Sequence, residues 1–181
     1  MKIVPTAIPD LLVIEPAVFG DDRGFFLESW NARTFAEAGL DLQFVQDNHS
    51  RSARGVLRGL HYQANDPQGK LVRVVAGAAY DVAVDLRRSS PTFGQWAGVL
   101  LTAANRTMFW VPPGFAHGFL SLQDGTDFLY KCTAPYRPDD EHALLWNDPA
   151  IGIDWPLEGI EPTLSAKDRA GIRLAGARTF A

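Results

Sequence analysis

Tyr80-Asp81-Val82-Ala83-Val84-Asp85-Leu86 alternates strictly, with Asp81, Ala83 and Asp85 on one face and Tyr80, Val82, Val84 and Leu86 on the other. A period of two marks a β-strand lying between two different environments. Just upstream, residues 70–75 (KLVRVV) are rich in β-branched side chains and bounded by Gly69 and Gly77, which predicts a second strand. Residues 107–111 run into the turn Pro112-Pro113-Gly114. Segments 117–122 and 126–133 predict a hairpin around Asp124-Gly125. Helical signals are few. Residues 31–39 open on the N-cap candidate Asn31 and close on Gly39, and Ser165-Ala166-Lys167-Asp168 opens a short turn of helix. Many short strands separated by Gly and Pro predict an all-β sandwich or closed barrel.

The chain has 181 residues, enough for one medium domain spanning 1–181. Its formal net charge is −4 and it has no long basic run, which argues against nucleic acid as a partner. An anionic substrate therefore requires a local cluster of Arg and Lys against the global sign. There is one cysteine, Cys132, so no intrachain disulfide forms. Residues 1–10 lack an apolar run of signal-peptide length, and no segment reaches the apolar length of a membrane span. A cytoplasmic enzyme is the expectation.

The chemistry-bearing residues are sparse. There are four histidines, His49, His61, His117 and His142. His61 lies in Gly55-Val56-Leu57-Arg58-Gly59-Leu60-His61-Tyr62-Gln63. Strict alternation there would put Arg58, Leu60 and Tyr62 on one face, and Leu57, His61 and Gln63 on the other. Such a histidine is either a hydrogen-bonded core residue or a general base, and a base needs an orienting carboxylate. His117 follows the Pro-Pro-Gly turn and could be a ligand, a substrate contact or packing. A zinc site wants three clustered ligands, and no His-x-His or Cys pair supplies them. Tyr130 alternates with Phe128 and Cys132, and reads either as an interior aromatic with a satisfied hydroxyl or as a proton donor facing a cavity. Arg23, Arg58, Lys70 and Lys167 are candidate anion contacts. Arg23 sits beside Phe25 and Phe26, a pairing able to hold a phosphate and a base together. Asp168 also completes a capping-box pattern with Ser165.

Taken together, these segments resemble the dTDP-4-dehydrorhamnose 3,5-epimerase family. The matching stretches are residues 22–28 (DRGFFLE), 44–50 (FVQDNHS), 55–63 (GVLRGLHYQ), 68–74 (QGKLVRV), 81–87 (DVAVDLR), 112–119 (PPGFAHGF), 146–149 (WNDP) and 164–168 (LSAKD), in order over nearly the whole chain. The resemblance implies a cupin-type jelly-roll β-barrel, a homodimer, no metal and no cofactor. It implies a dTDP-linked 4-keto-6-deoxyhexose as substrate, inverted at carbons 3 and 5 to give dTDP-4-dehydro-L-rhamnose. Carried over position by position, His61 resembles the base and Tyr130 the acid, with Asp168 paired to His61 and Lys70 facing the enolate oxygen. Arg23, Phe26, Glu28, Gln46, Asn48, Arg58, His117, Glu141 and Lys167 would contact substrate, and Tyr136 would stack on thymine. The chain departs from the pattern at Ala134-Pro135, where the family often has an acidic residue and a second tyrosine.

The implied chemistry suits these residues. A ketone at carbon 4 acidifies the hydrogens on carbons 3 and 5, and inversion needs a proton removed from one face and delivered to the other. Imidazole can accept, and a phenol with a pKa near 10 can donate at neutral pH. Three readings compete: an epimerase of the same family acting at one carbon only, a non-catalytic sugar-nucleotide binding barrel, and a metal-dependent cupin.

Overall fold

The computed structural model describes residues 1–181. The N-terminal part supplies β1 (Lys2–Pro5), β2 (Leu12–Glu15), the hairpin β3 (Val18–Asp21) and β4 (Gly24–Leu27), and α1 (Ala32–Glu37). The body runs through β5 (Gln46–Ser52), β6 (Leu57–Gln63), β7 (Lys70–Ala76), β8 (Ala78–Asp85), β9 (Trp96–Thr102), β10 (Met108–Val111), β11 (Phe115–Ser121), β12 (Thr126–Cys132) and β13 (Glu141–Ala143). A short α2 (Ala166–Arg169) comes near the C-terminus. No helix is long and apolar enough to cross a membrane.

Two sheets face each other, one ordered β1-β2-β10-β7-β12-β5 and the other β13-β6-β11-β8-β9. From β5 to β13 the chain crosses between them at nearly every connection, and only β8 and β9 are consecutive partners in one sheet. This is the expected jelly roll, with one qualification: no strand pairs with both sheets, so the barrel is two facing sheets rather than a hydrogen-bonded cylinder. The expected hairpin at Asp124-Gly125 does not form. β11 pairs with β6 and β8, whereas β12 pairs with β5 and β7. Both segments alternate as strands should, but alternation carries no information about which sheet a strand joins, and this turn carries the chain across the sandwich.

The alternation read in β8 holds. Ala79 and Ala83 join the inner core with Val72, Val74, Phe109, Phe119 and Phe128, while Val82, Val84 and Leu86 join an outer cluster with Leu144 and Trp155. That outer cluster seals the second sheet beneath the C-terminal segment. A smaller cluster of Ile14, Phe35, Leu71, Met108 and Trp110 seats α1 on the other sheet. The helix begins at Asn31, whose side chain accepts from the Arg33 and Thr34 amides.

β6 breaks its expected alternation, and the site depends on how. Its register with β11 shifts between His117 and Phe119. Leu57, Leu60 and Tyr62 all join the outer cluster, so Arg58 is released to the same side as His61. A bulge inserts one residue and re-aims the side chains beyond it. Glycines permit it, because a Cβ on Gly118 would lie 2.6 Å from the Arg58 carbonyl and 2.9 Å from Gly59 Cα. Gly118→Ala should therefore cost about 2 kcal/mol, lowering Tm by about 4–8 °C for a chain of this size. Thermal unfolding that matches wild type would show that the bulge tolerates a methyl group.

Candidate active site

Along β7 the inward side chains pass from Val74 and Val72 to Lys70, and along β12 from Phe128 to Tyr130. The apolar filling gives way to polar groups at this end, and a cavity of about 330 Å³ opens between the sheets. The first sheet lines it with Lys70 and Tyr130, and with Gln46 and Asn48 from β5. The facing sheet supplies Arg58, His61 and Gln63 from β6, and Glu141 from β13. Tyr136 and Lys167 stand at its margin. His61 and Tyr130 thus reach one space from opposite walls.

His61 is oriented from behind. Its Nε2 lies 2.6 Å from Asp168 Oδ1. Asp168 is 3% exposed, and it also accepts from the Ser165 hydroxyl at 2.6 Å and the Gly59 amide at 3.3 Å. Burial raises its pKa, but the His61 and Ser165 hydrogen bonds outweigh burial and hold it at about 2. The capping pattern read in the sequence is present as well, since the Asp168 amide donates to Ser165 Oγ at 3.1 Å. One short helix therefore caps itself and presents a carboxylate oxygen to the imidazole.

Tyr130 is partly buried, and that burial is the main cause that raises its phenol pKa, with the coulombic influence of Cys132 adding to it. The group stays protonated at neutral pH and can donate. Lys70 is 8% exposed; burial pulls its ammonium below the usual pKa, while the Asp81 and Glu141 carboxylates act in the opposite direction. Glu141 accepts from Lys167 Nζ at 2.7 Å and from the Tyr136 hydroxyl at 2.9 Å, which outweighs burial and lowers its pKa.

The structure separates some expected site residues from this cavity. His117 does not line it; its Nε2 sits 2.9 Å from Asp81 Oδ1, both side chains buried between the sheets. Arg23 and Phe26 lie on the β3–β4 hairpin, a separate two-stranded sheet, with Arg23 engaged by Asp21 and Phe26 68% exposed. Glu28 lies just past the hairpin and receives the Asn31 amide. Among the remaining histidines, His49 pairs with Asp127 and His142 stacks on Tyr62. Gln63 and Gln68 also line the cavity, and no sequence pattern marks them for it. Both stood inside matching stretches, and only their contacts distinguish them.

The dTDP-4-dehydrorhamnose 3,5-epimerase family model matches residues 5–176. A Pseudomonas aeruginosa dTDP-4-dehydrorhamnose 3,5-epimerase is 59% identical over 181 residues, covering 99% of both chains. A crystal structure of dTDP-6-deoxy-D-glucose-3,5-epimerase from Legionella pneumophila, in complex with dTDP-4-keto-L-rhamnose, superposes with a TM-score of 0.93 at 53% identity, covering 96% of this chain and 93% of that one. A 3'-monoepimerase from Streptomyces bikiniensis, in complex with dTDP-quinovose, gives 0.89 at 39% identity, covering 94% and 87%.

The Asp168 pKa carries a stability consequence. A carboxyl depressed from 3.8 to about 2 on folding stabilises the protein above the unfolded value, and that stabilisation is lost as pH falls through about 2. Asp168→Asn should remove a portion of the acid sensitivity between about pH 4 and 2, on the order of 2 kcal/mol. Unfolding free energies measured against pH should show a shallower acid limb in the variant; parallel curves would contradict the ionised contact.

Proposed function

The chain belongs to the dTDP-4-dehydrorhamnose 3,5-epimerase family, and from that premise we propose that it inverts carbons 3 and 5 of dTDP-4-dehydro-6-deoxy-D-glucose to give dTDP-4-dehydro-L-rhamnose. One observation carries the assignment of roles. An oriented imidazole and a protonated phenol face one cavity from opposite sheets, with a buried lysine on the strand next to the phenol's.

His61 removes the hydrogen beside the ketone, and the electron pair moves onto the carbonyl oxygen as an enolate. Lys70 offsets the charge that develops there, commonly the largest single term in such catalysis. Asp168 stabilises the imidazolium that results. Tyr130 delivers a proton to the opposite face, collapsing the enolate back to the ketone with the carbon inverted. His61 then returns its proton to solvent and Tyr130 is reprotonated, so the enzyme is unchanged after each inversion. Arg58 and Lys167 receive the diphosphate, Gln46, Asn48 and Glu141 hold polar groups of the sugar nucleotide, and Tyr136 offers its ring to thymine. A purely binding barrel has no use for a base and acid arranged in this way.

The protein acts as a homodimer in this reading. The β3–β4 hairpin exposes Phe19, Phe25 and Phe26 and holds Arg23 away from its own cavity. A second copy would cover those rings and receive Arg23, Phe26 and Glu28 at its own site, which reconciles their expected substrate contacts with their position. His117 contributes from behind the wall through Asp81 rather than by touching substrate.

His61→Asn should lower turnover by about 10²-fold or more. Tyr130→Phe should impair product formation more than solvent exchange of the substrate hydrogens, because abstraction survives while reprotonation fails. Proton NMR in heavy water reads both processes, and deuterium at carbon 3 alone would instead favour single-carbon epimerisation. Mixing His61→Asn with Arg23→Ala/Phe26→Ala chains should restore activity through heterodimers having one intact site. Failure to recover activity after confirmed subunit exchange would reject the shared site.

A further inference from the structure

Residues 134–137 make the turn that presents Tyr136 at the cavity margin, and this turn has little backbone support. The carbonyls of Ala134 and Pro135 and the amides of Tyr136 and Arg137 have no backbone partner. Glutamine side chains take all these groups. Gln68 Nε2 donates to the Ala134 carbonyl at 2.8 Å, and Gln46 Oε1 accepts from the Tyr136 amide at 2.8 Å. Gln63 takes the two flanking groups: its Nε2 donates to the Pro135 carbonyl at 3.2 Å, and its Oε1 accepts from the Arg137 amide at 2.8 Å.

Gln63 thus brackets Tyr136 as a residue in a parallel strand would, with a side-chain amide standing in for a peptide group. It is 3% exposed, and its Nε2 is pinned further by the Asp66 carbonyl at 2.7 Å. It also sits two positions after His61 on the same strand. Pro135 lacks an amide hydrogen, so the turn depends on the few donors and acceptors it retains.

We infer that Gln63 is a positioning residue for nucleotide recognition, acting through Tyr136. It holds the ring at the cavity margin while the same strand holds the base, so the distance between nucleotide platform and reacting sugar is set by one short stretch of β6. This rests on the proposed reading of Tyr136 as the thymine platform. The expected signature is a loss of affinity with chemistry spared, since Gln63 touches the turn and not the reacting atoms.

The test is a double-mutant cycle on the full-length enzyme, with dTDP as the calorimetric probe and KM and kcat measured alongside. Gln63→Leu should weaken dTDP binding about tenfold, the scale of one or two lost hydrogen bonds. KM should rise comparably while kcat changes less than about threefold. In a Tyr136→Leu background the same change should cost nothing further. If Gln63→Leu fails to fold by circular dichroism, Gln63→Met keeps an unbranched stem and tests the same contacts. Weaker binding in Tyr136→Leu with none in the Gln63 variant would overturn the inference and leave the platform intact. Additive losses, or kcat falling as far as KM rises, would overturn it too. Unchanged dTDP affinity in both single variants would reject Gln63 and the platform reading together.

Discussion

The Asp168 carboxylate against His61 is the contact on which the site depends. It joins residues 107 apart in sequence, one on the inner face of a strand and one on a single turn of helix near the C-terminus. An imidazole alone on a sheet face has neither a defined tautomer nor a defined ring angle. A buried carboxylate with other donors already in place is a rigid orienter, because each hydrogen bond restricts where the remaining lone pairs point. The Ser165 hydroxyl and the Gly59 amide serve that end, and the Asp168 amide fixes the hydroxyl in turn. The C-terminal segment, which covers the second sheet with apolar side chains, thereby also delivers a carboxylate partner for His61.

Behind the cavity the sandwich holds charge where apolar packing would be cheaper. Asp81 is fully buried, and burial pushes its carboxyl upward while His117 and Lys70 pull the other way. Isolated, any of these groups would carry a large desolvation penalty. Together they offset one another at the cavity end of the interior. His117 belongs to this arrangement through its Nε2, which lies 2.9 Å from Asp81 Oδ1. The inner core of Phe109, Phe119 and Phe128 continues beyond, so the polar end is confined to one part of the interior.

Periodicity revealed the strands because each separates two environments, and β8 alternates as read. It was silent on sheet membership, which is why segments 117–122 and 126–133 suggested a hairpin that the jelly roll does not make. It also misplaced Arg58. Alternation put that side chain opposite His61, and the bulge at Gly59 brings the two together. The glycines carried the signal, since a strand interior that tolerates Gly59 facing Gly118 marks a close backbone approach. That His61, Asp168, Tyr130 and Lys70 come together was expected only from family resemblance, because their convergence is a property of the fold rather than of spacing. The glutamines of the 134–137 turn were invisible for a related reason. An amide side chain looks the same in a sequence whether it meets water or completes a backbone.

The charges resolve an apparent conflict between a chain of net charge −4 and a diphosphate ligand. Global charge acts over a Debye length of about 8 Å at physiological salt, so the local arrangement decides. Within the cavity, Lys167 is already matched by Glu141 at 2.7 Å. Arg58 is bound differently: its guanidinium donates to the Ser52 hydroxyl at 3.1 Å and the Arg51 carbonyl at 3.4 Å, both neutral acceptors. Those contacts aim the side chain without cancelling its charge. Glu141 is thus engaged by Lys167 and Asp168 by His61, and the guanidinium, with only neutral acceptors, keeps its attraction for phosphate oxygens. The same bulge that displaces Arg58 from the outer apolar cluster is therefore what gives an acidic protein a cationic mouth.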